Sequence, residues 1–322
     1  MGIIDTLSAG FDLVRKKAWL ILVPIVLDLG VWLAPRLSVS SLAGVLQQQL
    51  MAPAAANPEV LGNVQEMRQF LDSFFGGLNL LTLLTSSYLG VANLPVLTQA
   101  SFFGWRKTVI EVQTGWGLMG LVVGLSLLGL FIGTFYMGLV AQQVRDGHTD
   151  LASLARRVPR YWLRRLGVGA LVAATFAFLG APTLTLVVLL GLLSRGGALS
   201  SGMVSMVMAL GSFFILWVGI YLAFVPEAIL LGEDGVLRAI WHSMSVVRFS
   251  FWSTLGLLVL VNIIAMGLAL VWQSLAANPA GALVAIVGNA FVGTGLAAAV
   301  FIFYRDRFWA WKKAVEEWKG RA

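Results

Sequence analysis

The chain has 322 residues, of which 59% are hydrophobic and only 11% charged; soluble chains carry about 25% charged residues, so too little polar surface is present to cover a globule in water. No cysteine and two histidines, His148 and His242, exclude disulfides, thiolate metal sites and cysteine nucleophiles, and leave too few ligands for a histidine-built metal centre. The formal charge of +7 points to anionic lipid headgroups at the cytoplasmic face and not to nucleic acid, because the basic residues flank apolar runs instead of forming a domain of their own.

Residues 1–17 read as an amphipathic cytoplasmic segment. Ile3, Ile4, Leu7, Phe11 and Val14 share one helical face ahead of the basic cluster Arg15, Lys16 and Lys17, a pattern expected of a lipid-interface anchor. The apolar run that follows is too long for a signal peptide and lacks a small-residue cleavage site, so it is expected to stay as the first span. Six spans are predicted from hydropathy and length: residues 18–35, 117–140, 166–193, 203–231, 251–275 and 281–304. Pro182 is expected to kink the third, since proline removes a ladder hydrogen bond and crowds the preceding turn.

Residues 37–116 form the one large segment outside the spans. Val39, Leu42, Leu46 and Leu50 fall at helical spacing, and Asn57 followed by Pro58 announces a second helix with Leu61, Val64, Met67, Leu71 and Phe74 on one face. The uncharged stretch 76–93 is long enough to suggest a seventh crossing. One extra crossing, however, would place Arg145, Arg156, Arg157, Arg160, Arg164 and Arg165 outside the cell, against the rule that basic residues resist translocation. Residues 74–103 are therefore expected to re-enter the membrane or lie along it, capping the bundle.

Counting lysine and arginine between spans puts 17 on the side of both termini and 5 on the other, which assigns both ends to the cytoplasm. The fold class is all-α, an integral membrane bundle of six transmembrane helices in a single membrane domain, with an external helical or re-entrant segment after the first span. Residues 305–322 form a cytoplasmic amphipathic tail. There Trp309 and Trp311 alternate with cations as interface anchors, and Arg164 and Arg165 anchor the third span. Spans two and three also echo spans four and five in outline: a glycine and aromatic turn, a polar segment at Gly147 or Gly235, a short helix carrying Leu151 and Leu154 or Leu237 and Ile240, then return to lipid.

Four polar residues inside spans make a candidate intramembrane site: Asp28, Glu227, Asn262 and Asn289. Asp28 sits about ten residues into the first span, roughly 15 Å along its axis, where an aspartate costs about 2.5 to 3.5 kcal/mol of insertion energy that the surrounding aliphatic residues offset. Its functional reading is a proton, ion or substrate contact; the plainer reading, which we favour, is an acid satisfied by a neighbouring helix. Glu227, after Pro226 and close to the cytoplasmic end of its span, has the same two readings, with Arg238 or another cytoplasmic arginine as the plain partner. Asn262 and Asn289 are expected to be buried amides bonding between helices. No catalytic residue, metal ligand or cofactor-binding motif is found, since Walker, dinucleotide, His-Glu-x-x-His, nucleophile-elbow and EF-hand patterns are all missing.

The run from Val225, Pro226 and Glu227 through Gly232, Glu233, Asp234, Gly235 and Arg238, with Ser243, Val247, Phe251 and Trp252 beyond it, resembles a recurring segment of bacterial six-helix membrane proteins. These are similar to the membrane domain attached to some glycerophosphodiester phosphodiesterases. The resemblance covers spans four and five and implies a membrane fold; it implies no hydrolysis, because the soluble phosphodiesterase domain has no counterpart in these residues. The function expected is a non-enzymatic structural or accessory subunit of a membrane assembly, in contact with membrane lipids and with a protein partner or further copies of itself. The alternative is a transporter or permease for a small or lipid-like solute. A cysteine placed at Arg160 is expected to stay unlabelled by a membrane-impermeant maleimide in intact cells and to react once the membrane is opened; labelling from outside overturns the orientation.

Overall fold

The computed structural model describes residues 2–42, 44, 78–85, 108–193 and 198–320. Among the described residues the fold is all-α apart from one pair of three-residue strands. In chain order the elements are α1 (Ile3–Lys16), a 3-10 turn (Ala18–Ile21), α2 (Leu22–Leu33), β1 (Arg36–Ser38), a second 3-10 turn (Leu80–Leu84), β2 (Val109–Glu111), α3 (Gly115–Asp146) and α4 (Leu151–Leu193). They continue with α5 (Ala198–Leu222), α6 (Val225–Gly232), α7 (Val236–Phe249), α8 (Phe251–Leu275) and α9 (Pro279–Lys319).

Five stretches among the described residues are helical, long and apolar enough to cross a membrane: Gly115–Asp146, Leu151–Thr183, Ser205–Gly232, Phe251–Leu275 and Pro279–Lys319. They match predicted spans two to six. The predicted first span is the shorter apolar stretch Ala18–Leu33, which opens on the 3-10 turn. Of the helix expected over Val39 to Leu50, residues 40–42 and 44 are helical and the remainder lies outside the described residues, as do the helix expected from Asn57 to Phe74 and most of the expected re-entrant stretch 74–103; within that stretch, Leu80–Leu84 form the 3-10 turn.

The chain divides into two compact units, one made of Met1–Thr6, Ala141–Leu260 and Val300–Ala322, the other of Leu7–Val140 and Val261–Ala299. In the second unit, β1 and β2 pair in parallel, with Arg36 opposite Val109 and Ser38 opposite Glu111. This short ladder ties together the two ends of the segment 37–116, and Asn79 reinforces it by accepting from Leu37 N–H (3.1 Å) and Leu81 N–H (3.2 Å). Beneath it Val39, Leu80 and Val112 are buried against leucines from the first turns of α3. Sequence pattern had no hold on these strands, because three residues are too few to show an alternation of period two.

The same unit contains two helix contacts that small residues make possible. A Cβ at Gly10 would stand 2.5 Å from the carbonyl oxygen of Gly295 and 2.7 Å from Ala299 N, and one at Gly295 would stand 2.5 Å from the Phe11 ring. Hence α1 lies directly on α9, with Phe11 and Phe291 5.9 Å apart between ring centres and Leu7 and Val14 buried. This corrects the expectation that the N-terminal segment spends its apolar face on lipid. Only Ile4, 77% exposed, stands clear of that packing, while Arg15 pairs with Asp12 at the exposed surface and Lys16 is exposed beside it. A glycine on each helix is what lets two backbones approach this closely, and in lipid such van der Waals contact, more than burial of apolar area, holds helices together. The second contact sets Trp32 of α2, fully buried, among Ala276, Ala282, Ala285 and Ile286, with Trp272 lying over Gly288.

At the start of α4, Asp150 accepts from the N–H groups of Ala152 (3.0 Å) and Ser153 (3.1 Å), the geometry of a helix cap. The Ser153 N–H is the main cause holding the Asp150 carboxyl below its usual range. From that cap α4 runs unbroken to Leu193 with Pro159 and Pro182 inside it, so the short helix expected to carry Leu151 and Leu154 is continuous with the third span. The repeat seen in outline therefore differs in build: the first short helix fuses with its span, whereas α7 ends at Ser250 before α8 begins.

Gly10→Ala is expected to lower thermal stability in detergent by about 1 to 3 kcal/mol, the range for overpacking a filled contact. Gly30→Ala, where nothing lies within 4 Å, serves as the neutral control, and equal melting of the two variants refutes the contact.

Candidate functional site

The first unit is organised around a break in its helix. α5 ends at Leu222 and α6 begins at Val225, so the span read as one continuous helix is two, joined through Ala223 and Phe224. A break inside so apolar a stretch frees backbone groups that an apolar surrounding cannot satisfy. Ser243, fully buried on α7, meets two of them: its hydroxyl donates to Tyr221 O (2.7 Å) and accepts from Phe224 N–H (3.2 Å). Phe224 in turn packs against Phe303 and Tyr304 of α9 with ring centres 5.7 Å apart.

With Pro226 in its first turn, where a missing N–H does no harm, α6 places Glu227 among its own unpaired N–H groups. Glu227 is buried, accepts from its own N–H, and feels the charge of Arg165 on α4; its Oε2 has no hydrogen-bond partner. Arg165 is buried as well, 8% exposed. The structure thus withdraws Arg165 from the set of headgroup anchors, and it makes Arg165, not Arg238, the cation facing Glu227. Helical spacing explains the change: on α4, Arg165 shares a face with the buried Leu154 and Val158, while Arg156 and Arg160 point outward.

α6 ends in the turn Gly232 to Gly235, where Glu233 takes the left-handed conformation at φ +55°, a position that L residues other than glycine and asparagine seldom occupy. Three arginines hold it there. Arg145 reaches the Glu233 carboxylate at 3.4 Å, Arg157 meets the same oxygen, and Arg164 donates to the Glu233 carbonyl. Arg164, expected as a headgroup anchor, is therefore engaged with the turn. Next to it Asp234 is buried and bonds His242 Nδ1 at 2.7 Å. The His242 ring rests against Phe308 (5.0 Å) and against the half-buried Trp311 (5.8 Å) of α9. Trp309 stays 60% exposed, with Lys312 over its ring. Residues 305–319 of the expected tail continue α9, and Arg305 fastens them to Val144 O at 2.6 Å.

In the second unit Asp28 and Asn289 come together. Asp28 is 2% exposed, one turn before Trp32, and the Asn289 side chain lies within its reach. The approach falls short of full hydrogen-bond geometry, since Asp28 Oδ2 and Asn289 Nδ2 each lack a partner. Nearby on the same helix, Thr294 accepts from the Tyr136 hydroxyl at 2.7 Å. Asn262 does not join them: it lies on the exposed side of α8, whose only buried residues are Thr254 and Leu257, which corrects the expectation of a buried amide there.

Of the four residues chosen from sequence, the structure sets Asp28 beside Asn289, puts Glu227 in the other unit, and leaves Asn262 on the surface. The Glu233, Asp234 and His242 group went unread, because a Gly-Glu-Asp-Gly run looks like a solvated turn. The available signal was the set of arginines at spacings of three, four and seven between 145 and 165. Among the described residues, no three of His, Asp and Glu gather closely enough to hold a metal. An apolar pocket of about 260 Å³ lies between α4 and α5, lined by Phe176, Thr183, Met208 and Ser212 among others. No protein-family model, curated protein or solved structure matches the chain.

Ser243→Ala removes the hydroxyl and strands Phe224 N–H in a buried setting, for an expected loss of about 1 to 3 kcal/mol. Amide exchange at Phe224 and Val225 should rise in the same variant; unchanged protection there means that something else closes the break.

Proposed function

We propose that this membrane protein crosses the cytoplasmic membrane six times with both ends in the cytoplasm, and serves as a structural or accessory subunit of a membrane assembly. The observation that carries this reading is that the acidic groups of α6 and the turn after it each face a basic partner: Glu233 with Arg145, Arg157 and Arg164, Asp234 with His242, and Glu227 with Arg165. Such pairing suits a scaffold that must hold its shape, and it leaves the Glu233 and Asp234 carboxylates poorly placed to bind and release a charged substrate. The balance of 17 to 5 in basic residues supports the orientation. The same proposal sets the chain beside the bacterial six-helix proteins that its segment from Val225 to Trp252 resembles.

One pair of observations favours a second reading, a carrier for a small or lipid-like solute. Asp28 Oδ2 and Glu227 Oε2 are buried without hydrogen-bond partners, and an intramembrane carboxylate with open valence is a natural place for a proton or ion.

Purification in mild detergent of the wild type and of Asp28→Asn tests the two together. A subunit is expected to bring the same protein partner, or the same homo-oligomer, in both forms and at equal yield. Recovery of a lone monomer, with proton or solute flux into proteoliposomes that Asp28→Asn abolishes, overturns the subunit reading in favour of the carrier.

A further inference from the structure

We infer that α7 is a lipid-binding helix that lies in the headgroup layer of an anionic bilayer, with Leu237, Trp241 and Met244 in the acyl boundary and Arg238 and Arg248 on the phosphates. The helix is apolar on two sides. Its inner side, Ala239, Ser243, Val246 and Val247, is buried in the fold. Its outer side, Leu237, Trp241 and Met244 at positions i, i+4 and i+7, is 76%, 63% and 36% exposed. A helix between two spans has no reason to turn a tryptophan and a leucine toward water, whereas the membrane interface is where an amphipathic indole is most at home.

Connectivity decides which surface covers this face. Before α7 stand only Glu233, Asp234 and Gly235 after the stretch Ser205–Gly232; behind it stands Ser250 alone before Phe251–Leu275. Both neighbours are membrane-crossing stretches, so the two ends of α7 are held where the chain leaves and re-enters lipid. Its 14 residues span about 21 Å, and with both ends held at one surface the axis lies along that surface. The exposed Phe249 and Trp252 carry the apolar outer side onward into α8, where Val259 is also exposed.

Charge supplies the lipid class. α7 contains no acidic residue, and Arg238 and Arg248 are exposed. Neither forms an ion pair among the described residues, in contrast to Arg145 and Arg157, which are committed to Glu233. His242 takes no part, being packed against Phe308 and Trp311 and bonded to Asp234. Two free guanidinium groups beside an apolar stripe attract anionic headgroups by about a factor of five each, from roughly 1 kcal/mol per basic residue near a charged surface. This inference stands whether the chain is an accessory subunit or a carrier, since it depends on the membrane crossings alone.

The absence of native cysteine permits a direct test on the full chain. Trp241→Cys and, separately, Leu237→Cys are labelled with a nitrobenzoxadiazole maleimide and reconstituted in phosphatidylcholine vesicles with or without 30% phosphatidylglycerol. His148→Cys, in the exposed turn before α4, reports the aqueous limit. Expected are quenching of both α7 labels by shallow spin-labelled lipid, protection from iodide relative to position 148, and preferential quenching by spin-labelled phosphatidylglycerol that falls more than ten-fold in Arg238→Gln/Arg248→Gln. Iodide quenching at 237 and 241 equal to that at 148 overturns the inference and points to a face awaiting a protein partner. Lipid quenching with no headgroup preference, or a preference untouched by the double glutamine variant, overturns the assignment of the arginines.

Discussion

A helix interrupted at membrane depth must find substitutes for the hydrogen bonds it loses, because hydrocarbon offers none. In this protein the interruption at Ala223 and Phe224 is closed by one hydroxyl, that of Ser243, bonding forward and back across the gap. Much of the first unit follows from that closure. It fixes α7 against the end of α5, and it lets α6 start afresh with Glu227 in its first turn. The Glu233 turn is thereby delivered to the arginines of α3 and α4. Remove the hydroxyl and the break must either anneal, moving Glu227 and the turn by part of a helical revolution, or leave bare amides in a dry interior.

The second unit rests on a different economy of contact. Where lipid surrounds a helix, burying another leucine gains little, since lipid tails already solvate it; what remains is close approach. Glycines at 10, 288 and 295 permit that approach, each covered by an aromatic ring or a neighbouring backbone. Asp28 sits at the edge of one such contact, beside Trp32 and across from Asn289. Its position on α2 is therefore set by the tryptophan that fills the interface one turn later.

Glu233 shows how electrostatics can hold a backbone shape. A left-handed glutamate costs about 1 to 2 kcal/mol, and contacts among partly exposed charges return at most modest amounts singly. Three arginines converging on one residue, one of them on its carbonyl, act as a network. The arginines of α4 thus have a use in architecture, and helical spacing sorts them: Arg157 and Arg164 to the turn, Arg165 to Glu227, Arg156 and Arg160 to the surface.

Composition and the lengths of apolar runs were enough to settle a helical membrane protein, the places of its long helices, and the interest of Asp28, Glu227 and Asn289, because insertion into lipid is decided locally by each segment's own residues. Which side of a helix faces which neighbour is not a local property. Only the tertiary structure could bury Arg165 and expose Asn262, lay α1 on α9 through two glycines, split the fourth span, and turn a four-residue loop into the hub for three arginines. Those outcomes depend on partners dozens to hundreds of residues away, and hydropathy treats an arginine facing lipid headgroups and one facing a buried glutamate as the same residue.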